Sequence, residues 1–268
     1  MRLLPQFLLL LRHLWQTRDA ERSLKTAMKH KMPEATAFGL YFQGIACYLQ
    51  NDLKTAEGQL STLVNEYYFI NTVMYAHGSV ALALVYLAKG EIGRAQKLSE
   101  KVMDYAIDTN NNEAYFIVQA FEAEYALRQG NLVEASNWAN QYNAKPFLLP
   151  FLFFLPQLTL TKIRMAQNTK DSRQQAADLL EQLSDYLTSI HNKSSQISVL
   201  ALQALQLDSQ GEESVALERL TAALNLAEPG GCIRLFVDLG PQMADLLKQL
   251  IEQNVAVDYI GRILDAFK

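Results

Sequence analysis

The chain has 268 residues, half of them hydrophobic, and a formal net charge of −4, so it forms either two globules or one array whose core extends by stacking. With 12 Gly and 7 Pro, it favours long helices over tightly turned strands, and its scattered Lys and Arg residues exclude direct nucleic-acid binding through a basic block. Cys47 and Cys232 lie far apart without metal-ligand spacing, which excludes a disulfide framework or zinc site and fits a reducing cytoplasm.

The segment from Met1 to Trp15, MRLLPQFLLLLRHLW, carries an apolar run from Phe7 to Leu11 closed by Arg12 and His13. That run is too short for a secretory signal and no small-residue cleavage site follows, so it is read as the first helix of the array. No stretch approaches the roughly 20 apolar residues of a membrane span.

Beyond it a short pattern recurs: a turn residue, polar residues, then Ala five positions after the turn. It reads NDLKTA from Asn51, GEIGRA from Gly90, GNLVEA from Gly130, DSRQQA from Asp171 and GEESVA from Gly211, with starts 39, 40, 41 and 40 residues apart. Gly, Asn or Asp can enter the left-handed conformation that ends one helix, the polar residues cap the next, and Ala lets the two helices approach closely. Each copy is therefore predicted to be a helical hairpin. Apolar-periodic first helices precede the turns, as in FGLYFQGIACYLQ from Phe38 to Gln50 and YFIVQAFEAEYALRQ from Tyr115 to Gln129, and second helices follow, as from Ile92 to Tyr105.

The hairpins resemble the tetratricopeptide repeat (TPR), which places a small residue twelve positions before that Ala. The pairs Gly44/Ala56, Ala83/Ala95, Ala123/Ala135 and Ala204/Ala216 match, and the fourth copy departs with Arg164. TPR units are shorter, about 34 residues, so these are TPR-like hairpins with lengthened helices. The predicted fold is all-α, an α–α superhelix or TPR-like solenoid of five to six hairpins with a period near 40 residues. The array is expected over residues 1–228, with turns near 51, 90, 130, 171 and 211, and capping helices of the same array over 229–268. The Pro-interrupted aromatic run KPFLLPFLFFLPQ, from Lys145 to Gln157, reads as a buried linker between repeats, or as an aromatic contact patch if exposed.

The C-terminal third carries LERLTAALNLAEPGGCIRLFVDLGPQMADLLKQL, from Leu217 to Leu250, whose core from Ala227 to Leu247 is similar to the TPR region of MalT-like regulators, the large ATP-binding LuxR-type transcriptional activators. PQLTLTKIRMAQ from Pro156 and QISVLALQALQLDSQG from Gln196 are similar to stretches of the same family, and the resemblance covers nearly the whole chain. Within the motif, Pro229, Gly230 and Gly231 are expected to end a helix while Phe236, Met243 and Leu247 bury into a terminal cap. Cys232 stands where the family usually has a larger side chain and is expected to be a small buried thiol.

The resemblance implies a cytoplasmic sensor in which an inducer binds the superhelix, a neighbouring ATPase exchanges nucleotide, and a helix-turn-helix grips promoter DNA. No P-loop pattern occurs, and the chain stops at DYIGRILDAFK, near the family's linker to its DNA-binding domain. The expectation is therefore an effector-sensing and protein-interaction domain lacking its ATPase and DNA-binding modules; the alternative is a stand-alone TPR scaffold that binds a partner protein without a small inducer. Its partners would be a sugar or other polar metabolite and an ATPase module or other protein, with no membrane and no cofactor.

No catalytic constellation is found: His13, His30, His77 and His191 lack HExxH spacing, no GxSxG or GxGxxG occurs, and Glu122 and Glu124 lie on different faces of a helix. Neither an enzyme nor a metal site is expected. In TPR hairpins the first helix lines the concave groove at fixed offsets before the Ala. Counting back names Tyr41, Tyr48, His77, Glu124, Arg128, Thr161, Asn168 and Asp208 as candidate ligand contacts, a mixture of aromatic and polar groups that suits a sugar, a peptide or another small polar effector.

Overall fold

The computed structural model describes residues 17–66, 68, 71–144 and 153–268. The fold is all-α and TPR-like: the described residues form fourteen α-helices and one 3-10 turn, with no strand among them. They fall into two compact units. The first holds α1 (Thr17–Lys29), α2 (Pro33–Leu49) up to residue 48, α3 (Leu53–Glu66), α4 (Thr72–Ala88), α5 (Ile92–Asp108) and α6 (Asn112–Arg128) as far as Phe121, with Phe153 and Phe154. The second holds the remainder of α6, α7 (Leu132–Gln141), α8 (Pro156–Gln167), α9 (Lys170–Ser189), α10 (Lys193–Ser209), α11 (Glu213–Ala227), α12 (Arg234–Val237), α13 (Pro241–Glu252) and α14 (Val257–Asp265). The stretch Met1–Trp15 and positions 145–152 of the aromatic run lie outside the described residues.

The turns inside the hairpins share one device. Asn51, Gly90, Gly130 and Gly211 adopt positive φ of 66, 75, 78 and 82°, and the next residue's N–H reaches back five residues to a helix carbonyl. These bonds run from Asp52 to Cys47 (2.8 Å), Glu91 to Tyr86 (2.8 Å), Asn131 to Ala126 (2.9 Å) and Glu212 to Leu207 (3.0 Å). This six-to-one closure satisfies carbonyls that the end of a helix leaves open. The fourth hairpin differs. Its left-handed residue is Asn168 (φ 51°), and α9 starts at Lys170 under a capping box between Thr169 and Ser172, so Asp171 lies inside the helix.

A second series of turns, between hairpins, has the same closure. Lys31, Asn110, His191 and Gly231 take φ of 51, 49, 56 and 63°, and Met32, Asn111, Asn192 and Cys232 donate five residues back. None of these four residues is followed five positions later by Ala, so the pattern of a turn residue and then Ala passes over this series.

The alanine after each internal turn is fully covered, as a close approach of paired helices requires. Ala56, Ala95, Ala135, Ala176 and Ala216 are all 0% exposed. Their partners are buried too, and a Cβ placed on Gly44 would lie 2.5 Å from Leu60 Cγ, so the absence of a side chain is what lets Leu60 seat. Arg164 takes a different course: its guanidinium donates to the Ala139 carbonyl (2.9 Å), the Asn140 side chain (2.9 Å) and Gln167 (3.0 Å), tying α8 to α7. An arginine is thus accommodated because α7 offers two acceptors to its fork and Gln167 of α8 a third.

At the C-terminal end, Phe236, Met243 and Leu247 are wholly buried and Cys232 is a buried thiol. The Tyr259 hydroxyl donates to the Cys232 carbonyl at 2.5 Å, fixing α14 against the AEPGG turn. Residues 49–51 belong to this second unit: the Ile233 N–H donates to the Leu49 carbonyl (2.6 Å) and the Gln50 amide to the Gly230 carbonyl (3.1 Å).

Candidate functional site

Five of the eight residues expected to line a groove are buried, Glu124 within an ion-pair cluster and the other four by packing. In the first unit, the Tyr41 hydroxyl accepts the Phe153 N–H at 3.1 Å and burial raises its phenol pKa, while Tyr48 sets its ring against Phe153 edge to face at 5.8 Å. His77 is 2% exposed and its Nδ1 has no partner among the described residues; burial pushes its pKa down to about 3, so it stays neutral at ordinary pH. In the second unit, Thr161 is buried and donates to the Gln157 carbonyl at 2.9 Å. Asn168 is the exposed left-handed residue of a turn, held by Arg173 at 2.8 Å, and Asp208 is half-buried with its carbonyl accepting the Gly211 N–H.

Glu124 and Arg128 are brought together. Glu124, on α6, is 2% exposed and accepts from Lys162 Nζ (2.8 Å), Arg128 Nε (3.1 Å) and Thr159 Oγ1 (3.2 Å). The α-helical spacing explains the convergence: Arg128 lies one turn after Glu124, and Thr159 and Lys162 lie one turn apart on α8. Burial alone would raise this carboxyl, but Lys162 and Arg128 outweigh it and hold the pKa down to about 2. Arg128 also faces Asp238 at 3.9 Å, and Asp238 pairs with Arg234 one turn away on α12. The family motif IRLFVDLG is thereby joined to α6 through charge. Glu124 is ionised near neutrality, so it serves the cluster as a fixed acceptor that orients Lys162, Arg128 and Thr159.

The first unit contains a partly open cleft of about 650 Å³ lined by Asn65 of α3, Tyr68, Tyr75 of α4, and Lys97, Glu100, Lys101, Asp104, Tyr105 and Asp108 of α5. Three tyrosine rings meet there edge to face, Tyr75 to Tyr105 at 4.9 Å and Tyr68 to each of them at 6.1 Å. Tyr75 is buried, and burial with the neighbouring Tyr105 raises its phenol pKa, so it remains a neutral donor. The α5 residues share one face because positions 97, 101, 104, 105 and 108 recur at helical spacing. Aromatic faces beside amide and charged groups give this cleft the chemistry to bind a small polar molecule.

Counting offsets on first helices named Glu124 and Arg128 but missed their partners and the cleft. Lys162 and Thr159 fall between the offsets used, Arg234 and Asp238 lie beyond the last hairpin, and the cleft draws most of its wall from a second helix. The signal available was the run of like charges one turn apart in α5. Among the described residues no group of three or more His, Cys, Asp or Glu side chains is placed to hold a metal ion, and no helix is long and apolar enough to cross a membrane. A family model described as the MalT-like TPR region matches residues 13–253. No curated protein matches the chain.

Proposed function

The chain belongs to the MalT-like TPR family, and on that premise we propose that it is the effector-sensing and protein-interaction region of a MalT-like transcriptional regulator. The family match over residues 13–253 carries this reading. The tyrosine-lined cleft of the first unit supports it, because it offers a small polar effector both aromatic surface and hydrogen-bonding walls. In this reading the eight groove positions act unequally. Tyr41, Tyr48, His77 and Thr161 hold the helices in register, whereas Glu124 and Arg128 fix the C-terminal motif, and effector binding is transmitted to an ATPase module as a change in docking. Asn168 and Asp208 stand at turn edges and serve such a partner surface.

A ligand that binds only the folded chain must raise its stability, by about 2.7 kcal/mol at one hundred times its Kd. The test is a thermal-shift screen with oligosaccharides, amino acids, short peptides and nucleotide metabolites, followed by calorimetry on each compound that raises the melting temperature. Saturable binding by one class supports sensing. A clean negative screen, alongside a protein that does bind, would replace sensing with a scaffold role.

A further inference from the structure

The cleft of the first unit carries a charge pattern that helix packing does not require. Along α5, Lys97 and Lys101 stand one turn apart, as do Asp104 and Asp108, so like charges adjoin at a spacing that weakens a helix. None of these four side chains forms an ion pair among the described residues, although Lys101 and Asp104 are only three residues apart. Glu100 accepts from the Gln96 amide at 3.1 Å. Lys97 and Lys101 flank Glu100, so the N-terminal half of the cleft carries a net positive charge, while Asp104 and Asp108 place unpaired carboxylates toward its C-terminal end. Tyr105, between Asp104 and Asp108 in the helix, brings the three-ring cluster to the carboxylate end.

The two poles set the ligand's dimensions. Three to seven residues of helix separate the lysines from Asp104, about 5–10 Å at the usual rise. An extended di- or tripeptide spans about 7–10 Å and carries an ammonium at one end, a carboxylate at the other and side chains between. A neutral molecule leaves both poles unmatched, and a simple anion leaves the carboxylates unmatched. We propose that the cleft binds a short peptide with free termini, its ammonium at Asp104 and Asp108 against the Tyr105 ring and its carboxylate at Lys97 and Lys101. Both contacts are charge-assisted, the ammonium gains the electron-rich ring face, and an apolar side chain of the peptide covers the remaining tyrosine surface. The assignment rests on the effector-sensing reading and names its ligand class.

Calorimetry on the full chain with the tripeptide Ala-Phe-Ala tests it, using the free, N-acetylated and C-amidated forms. The free tripeptide is expected to bind saturably and each capped form at least tenfold more weakly. In the double variant D104N/D108N, acetylation is expected to make no further difference while amidation still weakens binding; K97Q/K101Q should show the reverse. All four substitutions are on the exposed face of α5, and circular dichroism of each variant confirms that the helices remain. Absence of binding by the free tripeptide, or equal binding of all three forms, overturns the proposal. Oligosaccharides and nucleotides run in parallel separate the two levels: a saturable ligand among them, with the tripeptide silent, removes the peptide class and leaves sensing intact. Silence from every compound removes both.

Discussion

The first unit buries a polar side chain by keeping it neutral, whereas the second buries one by surrounding it with opposite charge. His77 lies inside α4 with its pKa pushed down to about 3 by burial, and its Nδ1 has no partner among the described residues. Glu124, equally buried, remains ionised because Lys162 and Arg128 reach it from α8 and from one turn along α6. Charges elsewhere in the units are also used differently. Lys97, Lys101, Asp104 and Asp108 face the cleft of the first unit without ion pairs among the described residues, while the second unit pairs Arg128, Asp238 and Arg234 in series. The cleft face of α5 thus keeps four charges out of ion pairs, although Glu57, Lys89, Glu91 and Arg94 of the same unit pair with one another, whereas the Glu124 cluster of the second unit uses its charges to hold a motif.

Removing the matching charge should have the largest effect. Glu124→Leu leaves Lys162 and Arg128 facing an apolar group; breaking a fully buried pair costs about 3–5 kcal/mol, and because these two cations are 24% and 23% exposed and can turn to water, about 2–3 kcal/mol is expected. Urea unfolding measures the loss, and a change below about 0.5 kcal/mol would mean that the cluster does not hold α6, α8 and α12 together.

Acid destabilises both units, but in different windows. His77 has a folded pKa below its ordinary 6.5, so between about pH 6.5 and 3 the unfolded chain binds the extra proton and stability falls as pH falls, by up to about 1.4 kcal/mol per pH unit. Glu124 has a folded pKa below its ordinary 4.5, so its contribution is complete above 4.5 and is lost only as pH falls from there toward about 2. His77→Leu is therefore expected to flatten the stability curve between pH 6.5 and 4.5 and to leave the steeper acid loss below it. Denaturation at a series of pH values checks this, and an unchanged slope above pH 4.5 would show that His77 is not buried neutral.

Close packing in the first unit gives a smaller effect. Gly44→Ala places a Cβ 2.5 Å from Leu60 Cγ and must displace that side chain, at about 1–2 kcal/mol. The smallest effect is stabilising and should appear in both units. Lys31 and His191 hold left-handed φ of 51 and 56°, and replacing either with Gly removes backbone strain that exceeds the entropy cost of glycine by about 0.5 kcal/mol. A melting temperature lowered by either substitution would contradict that conformation.

Much of this framework was legible in the residues. The five alanines marked the close approaches, and Asn51, Gly90, Gly130 and Gly211 marked four turns, because small side chains and left-handed backbone leave few alternatives. The fourth turn was misplaced by three residues, since Thr169 and Ser172 form the cap that the spacing had assigned to Asp171. The candidate site was less legible. Offsets place a residue on a helix face but do not say whether a neighbouring helix covers that face, which is why Tyr41, Tyr48, His77 and Thr161 are enclosed. Ion pairs such as Glu124 with Lys162 join residues 38 apart, and nothing local to either residue announces them.

Segment-resolved hydrogen exchange of the chain, with and without Ala-Phe-Ala and with the oligosaccharides and nucleotides in parallel, is the most direct test of a sensing site confined to the first unit. The expected result is slowed exchange in α3, α4 and α5 on saturation with one compound class, with α8 to α14 unchanged. Slowed exchange restricted to α8 to α14, or none with any compound, would contradict it.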